Sequence, residues 1–363
     1  MEIIRINLQL FADAGNLVNT TVGYNNAYTG STEEFAGANT LDPTLKTFYD
    51  TELLENYRVN SIYAQFAKKQ PLPANHGKTV EWRKWNTFKR AEALQEGVIP
   101  TGQKFGQSAL TGTIGQFGTY TTVSDRLELR AYDNVILGAT EEMGASAAET
   151  EEDLIRKGLL TGTNVMYCDN IELATGAFKS AATKASDMGA SDANGWAILS
   201  PDMINKAKTI MKKNKVPMIN GRYYAVIHPS VAYNLRKHPD WMEAHKYAAA
   251  EEIFNGEIGE LHGVRFVENV FAPVMGGEYA NKEGTVSYAN FFFGKDAFGI
   301  IDAANGGMEM IVHDKSEIGG PLNQFSTIGY KFEHNGATIL YPERMLRVMS
   351  TSSFSATDTD NLA

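Results

Sequence analysis

Apolar side chains recur at three- and four-residue steps in some parts of this chain and at two-residue steps in others, which predicts a mixed helix-and-strand protein. In 42–70, Leu45, Phe48, Leu53, Tyr57, Ile62 and Phe66 form a broken helical stripe. Asp42 suits its N-cap and Pro43 its first turn, and Pro71 and Pro73 end it. The longest helical pattern covers 130–160, with Tyr132, Ile136, Ala139, Met143, Ala147 and Leu154 on the inner face. Its outer face carries Glu141, Glu142, Glu149, Glu151, Glu152 and Asp153. At the helical rise such a spine runs to about 45 Å, longer than an ordinary globular domain requires.

Between these helices the pattern changes. TVEWRKWNTF reads as a strand with Val80 and Trp82 on one face, and Trp85 breaks the alternation as a bulge would. A polar, glycine-rich stretch follows, and TYTTVSDRLEL reads as the returning strand. The excursion has little apolar material for a core, so its expected use is to lie on another surface. Residues 163–324 read as a mixed α/β lobe. Ser200 and Pro201 open one helix with Ile204, Ala207 and Met211 inside, YYAVI at 223–227 is a buried strand, and Pro229-Ser230 opens another helix. GVRFVEN, NFFFGKDAFGII and MEMIVH supply short strands. KFEHNGATILYPERMLRVMS predicts two strands closed by a hairpin turn at Asn335-Gly336. The segments before 42 and after 352 lack periodicity; the second is expected to be flexible.

Composition narrows the function. Thirty-three Lys and Arg against 43 Asp and Glu give a formal charge of −10, which argues against a protein built to grip phosphates but not against one that encloses DNA. The single cysteine, Cys168, excludes a disulfide framework within the chain and every multi-cysteine metal site; a small buried hydrophobe is its expected role. No apolar run reaches the length of a membrane span, and Arg5, Asn7 and Gln9 interrupt the apolar start as they would not in a signal peptide. A cytoplasmic site of synthesis is expected.

Catalytic motifs fail on inspection. The seven histidines show no metal-ligand spacing; His238 and His245 are two helical turns apart, but Pro239 intervenes. Gly77-Lys78-Thr79 copies the end of a phosphate loop, yet Leu72 stands where its first glycine belongs and a strand follows instead of a helix. GASAA at 144–148 lacks the last glycine of a nucleophile elbow and sits mid-helix. No catalytic residue, cofactor or metal is predicted. One charge contrast remains. Residues 71–118 hold six basic and three acidic groups, net +3, and residues 130–160 three basic and seven acidic, net −4. Opposite charge would steer the excursion of one subunit onto the long helix of another, or pair the two within one chain.

The order of these parts resembles the major capsid proteins of tailed phages, the Hong Kong 97-type fold. LDPTLKTFYDTELLENYRVNSIYAQFAKK, GKTVEWRKW, YYAVIHPS and GATILYPERMLRV are similar to the N-four-like branch of that family, and INLQLFA is similar to a start common in capsid genes of phages of Gram-positive bacteria. The resemblance implies an α+β subunit with an N-terminal arm at 1–41, an N-terminal helix of the peripheral domain at 42–70 and an extended loop at 71–118. The peripheral domain with its spine helix would cover 119–162, an axial α/β domain 163–324, peripheral return strands 325–352 and a flexible tail 353–363. It implies pentamers and hexamers in an icosahedral head around double-stranded DNA, built in the host cytoplasm with scaffold, portal and decoration proteins as partners. Trp82, Arg83, Trp85, Lys89 and Arg90 on the loop, and Glu149, Glu152 and Asp153 on the spine, are the expected contacts between subunits. Two other readings stay open: an encapsulin-type shell around a protein cargo, and a soluble α/β hydrolase or binding protein.

Overall fold

The computed structural model describes residues 18–19 and most of 62–358; outside it lie 1–17, 20–61, 74–76, 87, 92, 95, 98, 100–101, 132–134, 240, 242–256, 304–308, 314–321, 356–357 and 359–363. The N-terminal arm, most of the expected helix over 42–70, and His245 therefore fall outside the described residues, apart from the short strand at Val18–Asn19. In chain order the strands are β1 Val18–Asn19, β2 Lys68–Leu72, β3 Thr79–Trp85, β4 Gln107–Thr113, β5 Gly115–Ser124, β6 Val165–Tyr167 and β7 Asn170–Ile171. There follow β8 Phe178–Ser180, β9 Ala190–Ser191, β10 Gly195–Trp196, β11 Tyr223–Ile227, β12 Glu257–Leu261, β13 Val264–Glu268 and β14 Val274–Met275. The last are β15 Ser287–Phe293, β16 Phe298–Ala303, β17 Glu309–His313, β18 Phe325–His334, β19 Thr338–Ile339 and β20 Met345–Ser350. Among the described residues the α-helices are α1 Asp125–Arg130, α2 Val135–Leu160, α3 Pro201–Lys213 and α4 Pro229–Lys237.

The chain forms two compact units. The larger comprises 61–115, 149–304 and 334–363. Its centre is a mixed sheet ordered β12-β13-β11-β15-β20-β6, with β14 paired to β15. All seven residues of β15 are buried, the mark of a strand covered on both faces. Alternation along it sends Phe292 to one core, with Met203, Ile204, Ala207 and Met211 of α3, and Val231, Ala232 and Leu235 of α4. Phe291 and Phe293 point the other way, to Ile155 and Leu159 of α2 and to Tyr63. The Ser200 hydroxyl caps α3 by accepting from the Met203 amide, as its position before Pro201 predicts. Gly158 of α2 lies against the Ala337 backbone, and a Cβ there would stand 2.5 Å from the Ala337 oxygen. Gly158→Ala should therefore overpack the contact and cost about 1–3 kcal/mol, read as a lower thermal midpoint with an unchanged far-ultraviolet spectrum.

The smaller unit comprises 1–60, 116–148 and 305–333. Its sheet runs β1-β5-β18-β17, with Ile328, Tyr330 and Phe332 of β18 buried. The Tyr330 and Ser146 hydroxyls lie 3.1 Å apart, within hydrogen-bond reach.

Several sequence expectations change. The stripe through Phe66 does not carry a helix to residue 70: a short 3-10 turn at Tyr63–Phe66 gives way to β2, parallel to β16. KKQPL has no apolar stripe to bury, and Pro71, which cannot donate, is tolerated because β2 is an edge strand. Trp85 marks no bulge, since β3 and β4 stay in one register from Thr79↔Thr113 to Trp85↔Gln107. The returning strand is thus β4, while TYTTVS belongs to β5 in the other unit. DRLELR turns helical as α1, where Asp125 and Glu128 favour the first turn, Arg130 the last, and Leu127 is buried. Asn335-Gly336 closes no hairpin. Both edges of β18 are already taken by β5 and β17, so the chain leaves it; β19 joins β16, and β20 enters the central sheet between β15 and β6. Of the described residues after Ser352, Ser353 donates to Asn234, and Asp358 accepts from Ser230 and Tyr288.

Candidate assembly surfaces

The hairpin β3–β4 divides into an anchored base and an exposed end. At the base Trp82, 8% exposed, packs with Ile301 and Leu340, while Leu72, Val80, Leu110 and Ile114 close around it. Gly112 and Gly299 leave the space its ring fills. Further along, Lys84 pairs with Glu343 at 3.0 Å and sits 4.5 Å from the centre of the Tyr341 ring; Arg344 lies 3.7 Å from the same ring. Glu343's carboxyl is lowered, burial working against its backbone bond and the bond from Lys84.

Beyond this clamp the apolar side chains have no core. Trp85 is 57% exposed, stacked at 4.3 Å on Phe105, which stacks at 5.2 Å on Phe88. Leu94 is exposed and Ile99 is 94% exposed. Lys89 holds Gln103 through both its backbone groups, which ties the two sides of the excursion together. An exposed aromatic ladder on a two-stranded arm is unfavourable in water.

Of the predicted contacts, the structure leaves Arg83, Trp85, Lys89 and Arg90 exposed and takes Trp82 into the chain's own core. Arg83 bonds its neighbour Glu81. On α2, Glu149 is exposed. Glu152, expected on the outer face, is 1% exposed. Its carboxylate accepts from the Ile62 amide, the Tyr63 amide at 3.0 Å and the Asn269 side chain at 3.4 Å. Asp153 pairs with Arg156 and Lys157 of its own helix. The acidic trio is therefore not one charged face. Carboxylates at consecutive helical positions point in different directions, and Glu152 meets the chain that enters at Ile62. The sequence reading missed Phe88, Phe105, Leu94 and Ile99, although apolar residues in a segment with no core were the available signal.

Other titratable groups are structural. Burial drives the Cys168 thiol upward, so it stays protonated. Burial lowers His334 from an ordinary 6.5 to about 4. Its Nδ1 accepts from the Gly336 amide and its Nε2 lies 4.0 Å from Glu151. Between roughly pH 6.5 and 4 the unfolded chain binds the proton that folded His334 refuses, so stability present above that window is lost as pH falls through it. The expected slope is up to about 1.4 kcal/mol per pH unit. Glu151, raised by burial against the pull of Lys69, contributes with the opposite sign. His334→Asn, which keeps an acceptor, should flatten the fall in thermal midpoint; an unchanged slope would clear His334 of it. Among the described residues no three His, Cys, Asp or Glu side chains come together as a metal site, and no helix is long and apolar enough to cross a membrane.

A family model described as phage capsid protein matches residues 108–339. No curated protein matches the chain. Among solved structures, the capsid of cyanophage P-SCSP1u is 16% identical, with 86% of this chain and 94% of that one covered and a TM-score of 0.60. The capsid of Ralstonia phage GP4 is 14% identical, covering 89% and 98% at 0.61. The acid-stable capsid of Helicobacter pylori bacteriophage KHP30 is 10% identical, covering 89% and 99% at 0.59. At these identities the likeness is one of fold, and that fold is the Hong Kong 97 type. The family match spans more than half of the sequence, and the chain belongs to the phage capsid protein family.

Proposed function

We propose that this chain is the major capsid subunit of a tailed phage and builds its head by self-assembly, in rings of five and six closed into an icosahedral shell around double-stranded DNA. The observation that carries the mode of assembly is the aromatic ladder of Trp85, Phe88 and Phe105, exposed on an arm whose base is fixed by Trp82 and the Lys84–Glu343 clamp. A rigid base aims the arm, and its ladder gains by burial on a neighbour. Small gains suffice because each subunit repeats them at several symmetric contacts. Arg83, Lys89 and Arg90 are exposed on the same arm as the ladder, and Glu149, one of the exposed acidic residues of α2, offers them a partner on a neighbour. The role is structural, not catalytic; assembly takes place in the host cytoplasm, with scaffold, portal and decoration proteins as partners.

Electron microscopy of the recombinant chain, with and without a candidate scaffold, tests this reading. Closed shells or uniform rings of five or six are expected. A monomer that persists under both conditions would overturn it, and shells that take up a protein cargo in place of DNA would favour the encapsulin reading.

A further inference from the structure

The sequence carries the dipeptide Asn-Gly at 194–195, 220–221, 255–256, 305–306 and 335–336; the third and fourth lie outside the described residues. This dipeptide is chemically labile because glycine offers no side chain to hinder its amide nitrogen. The nitrogen bonds to the asparagine Cγ and the Cγ–Nδ2 bond breaks. The glycine amide proton ends on the leaving nitrogen, so ammonia departs and a five-membered succinimide remains. Water then opens the ring at either carbonyl, giving aspartate or isoaspartate, with no change of oxidation state. The ring closes only if the side chain and the following amide can turn toward each other.

The fold treats the three described pairs differently. At 335 both reacting groups are tied. Asn335 Oδ1 accepts from the Ile301 amide at 2.8 Å, and Nδ2 donates to the Thr338 hydroxyl at 3.3 Å. The Gly336 amide donates to His334 Nδ1 at 2.9 Å. Gly336 is also wedged against α2, where an added Cβ would stand 2.9 Å from the Leu154 oxygen, so the turn has little room to rearrange. At 194, Nδ2 donates to Glu283 at 2.9 Å and Gly195 is buried. At 220 the picture is the reverse. Asn220 and Gly221 are both exposed in the turn between α3 and β11, with positive φ of 49° and 79°, and an added Cβ on Gly221 would meet nothing within 4 Å. The turn is closed by its flanks, Ile219 and Arg222, which exchange backbone bonds at 2.9 and 3.0 Å. Neither the Asn220 side chain nor the Gly221 amide makes a hydrogen bond among the described residues, so nothing but the turn itself holds them.

We infer that Asn220 is the site at which the folded chain deamidates, and that the same dipeptide at 335 and 194 is held shut by the fold. The contrast is one of local opening. A tied pair reacts only from the fraction of molecules in which its bonds are broken, whereas the Asn220 turn is already solvated.

The test is peptide mass spectrometry of the full-length protein after ageing in mildly alkaline buffer, folded in one arm and unfolded in urea in the other. Conversion is read as the one-dalton gain and as isoaspartate. In the folded arm Asn220 should convert at least about tenfold faster than Asn335 or Asn194, the factor that an opening cost of about 1.4 kcal/mol produces. In urea the three should converge. Thr338→Val, which removes the Nδ2 acceptor, should raise the folded rate at Asn335 and leave that at Asn220 unchanged. Equal rates at Asn220 and Asn335 in the folded chain would overturn the inference. So would a rate at Asn335 higher folded than unfolded, which would make His334 a base for the reaction and not a lock against it.

Discussion

Glu152→Ala should cost the subunit about 3–5 kcal/mol, enough to leave many single-domain proteins substantially unfolded at 37 °C. The carboxylate is almost wholly enclosed and accepts two backbone amides, those of Ile62 and Tyr63, together with the Asn269 side chain. Removing it strands two buried donors, the Tyr63 amide and the Asn269 side chain, and the part-buried Ile62 amide, and each unmet buried donor costs about 1–3 kcal/mol. Tyr63 feels the same group: its enclosure first, and the Glu152 charge second, push the phenol well above its usual range, while Arg156 pulls it back. Glu152→Gln, which retains an acceptor oxygen, should fall between the two. Urea denaturation of the three proteins measures this, and a loss below about 1 kcal/mol for the alanine variant would show that water replaces the carboxylate without penalty. Charge reversal at Glu152 is consequently a test of folding, not of assembly.

Replacing Trp85, Phe88 and Phe105 together by alanine should abolish shell formation and leave the monomer's thermal midpoint within a few degrees of the parent. The three rings are more than half exposed and touch mainly one another, so they give little to the fold. Aromatic anchors at interface centres commonly cost 2 kcal/mol or more each when truncated, and a loss of that order repeated at every copy of a contact outweighs the modest gain per interface on which closed shells depend. Trp82→Ala is the control. It lies three residues from Trp85 but fills the space beside Gly299 and Leu340, so its loss should lower the midpoint sharply by opening a cavity. Sedimentation separates the two outcomes: assembly lost with a stable monomer for the triple variant, a destabilised monomer for Trp82→Ala.

Local signals in the sequence carried well where one element explains itself. The Ser200-Pro201 start of α3, the continuous apolar run of β11 and the long spacing of α2 are legible because capping, burial and helical period act over a few residues. What failed needed knowledge of partners distant in sequence. Asn335-Gly336 has hairpin chemistry, but β18 is an interior strand, a fact set by β5 some 200 residues earlier. Lys68–Leu72 becomes a strand because β16 offers it an edge. Glu152 looks like one more carboxylate in an acidic run until the chain at Ile62 arrives at it. The arm illustrates both cases. The lack of a core around its end was readable. The division between Trp82, spent within the chain, and Trp85, left outside, depends on β16 and β19 and could not be read from alternation alone.

The hairpin end is proposed to be an assembly surface. Cryo-electron microscopy of shells formed by the parent protein tests it most directly. The prediction is density that places Trp85, Phe88 and Phe105 of each copy against a neighbouring subunit, out of contact with solvent. Shells in which that ladder remains exposed, or seated on its own subunit, would rule out the hairpin end as an assembly surface.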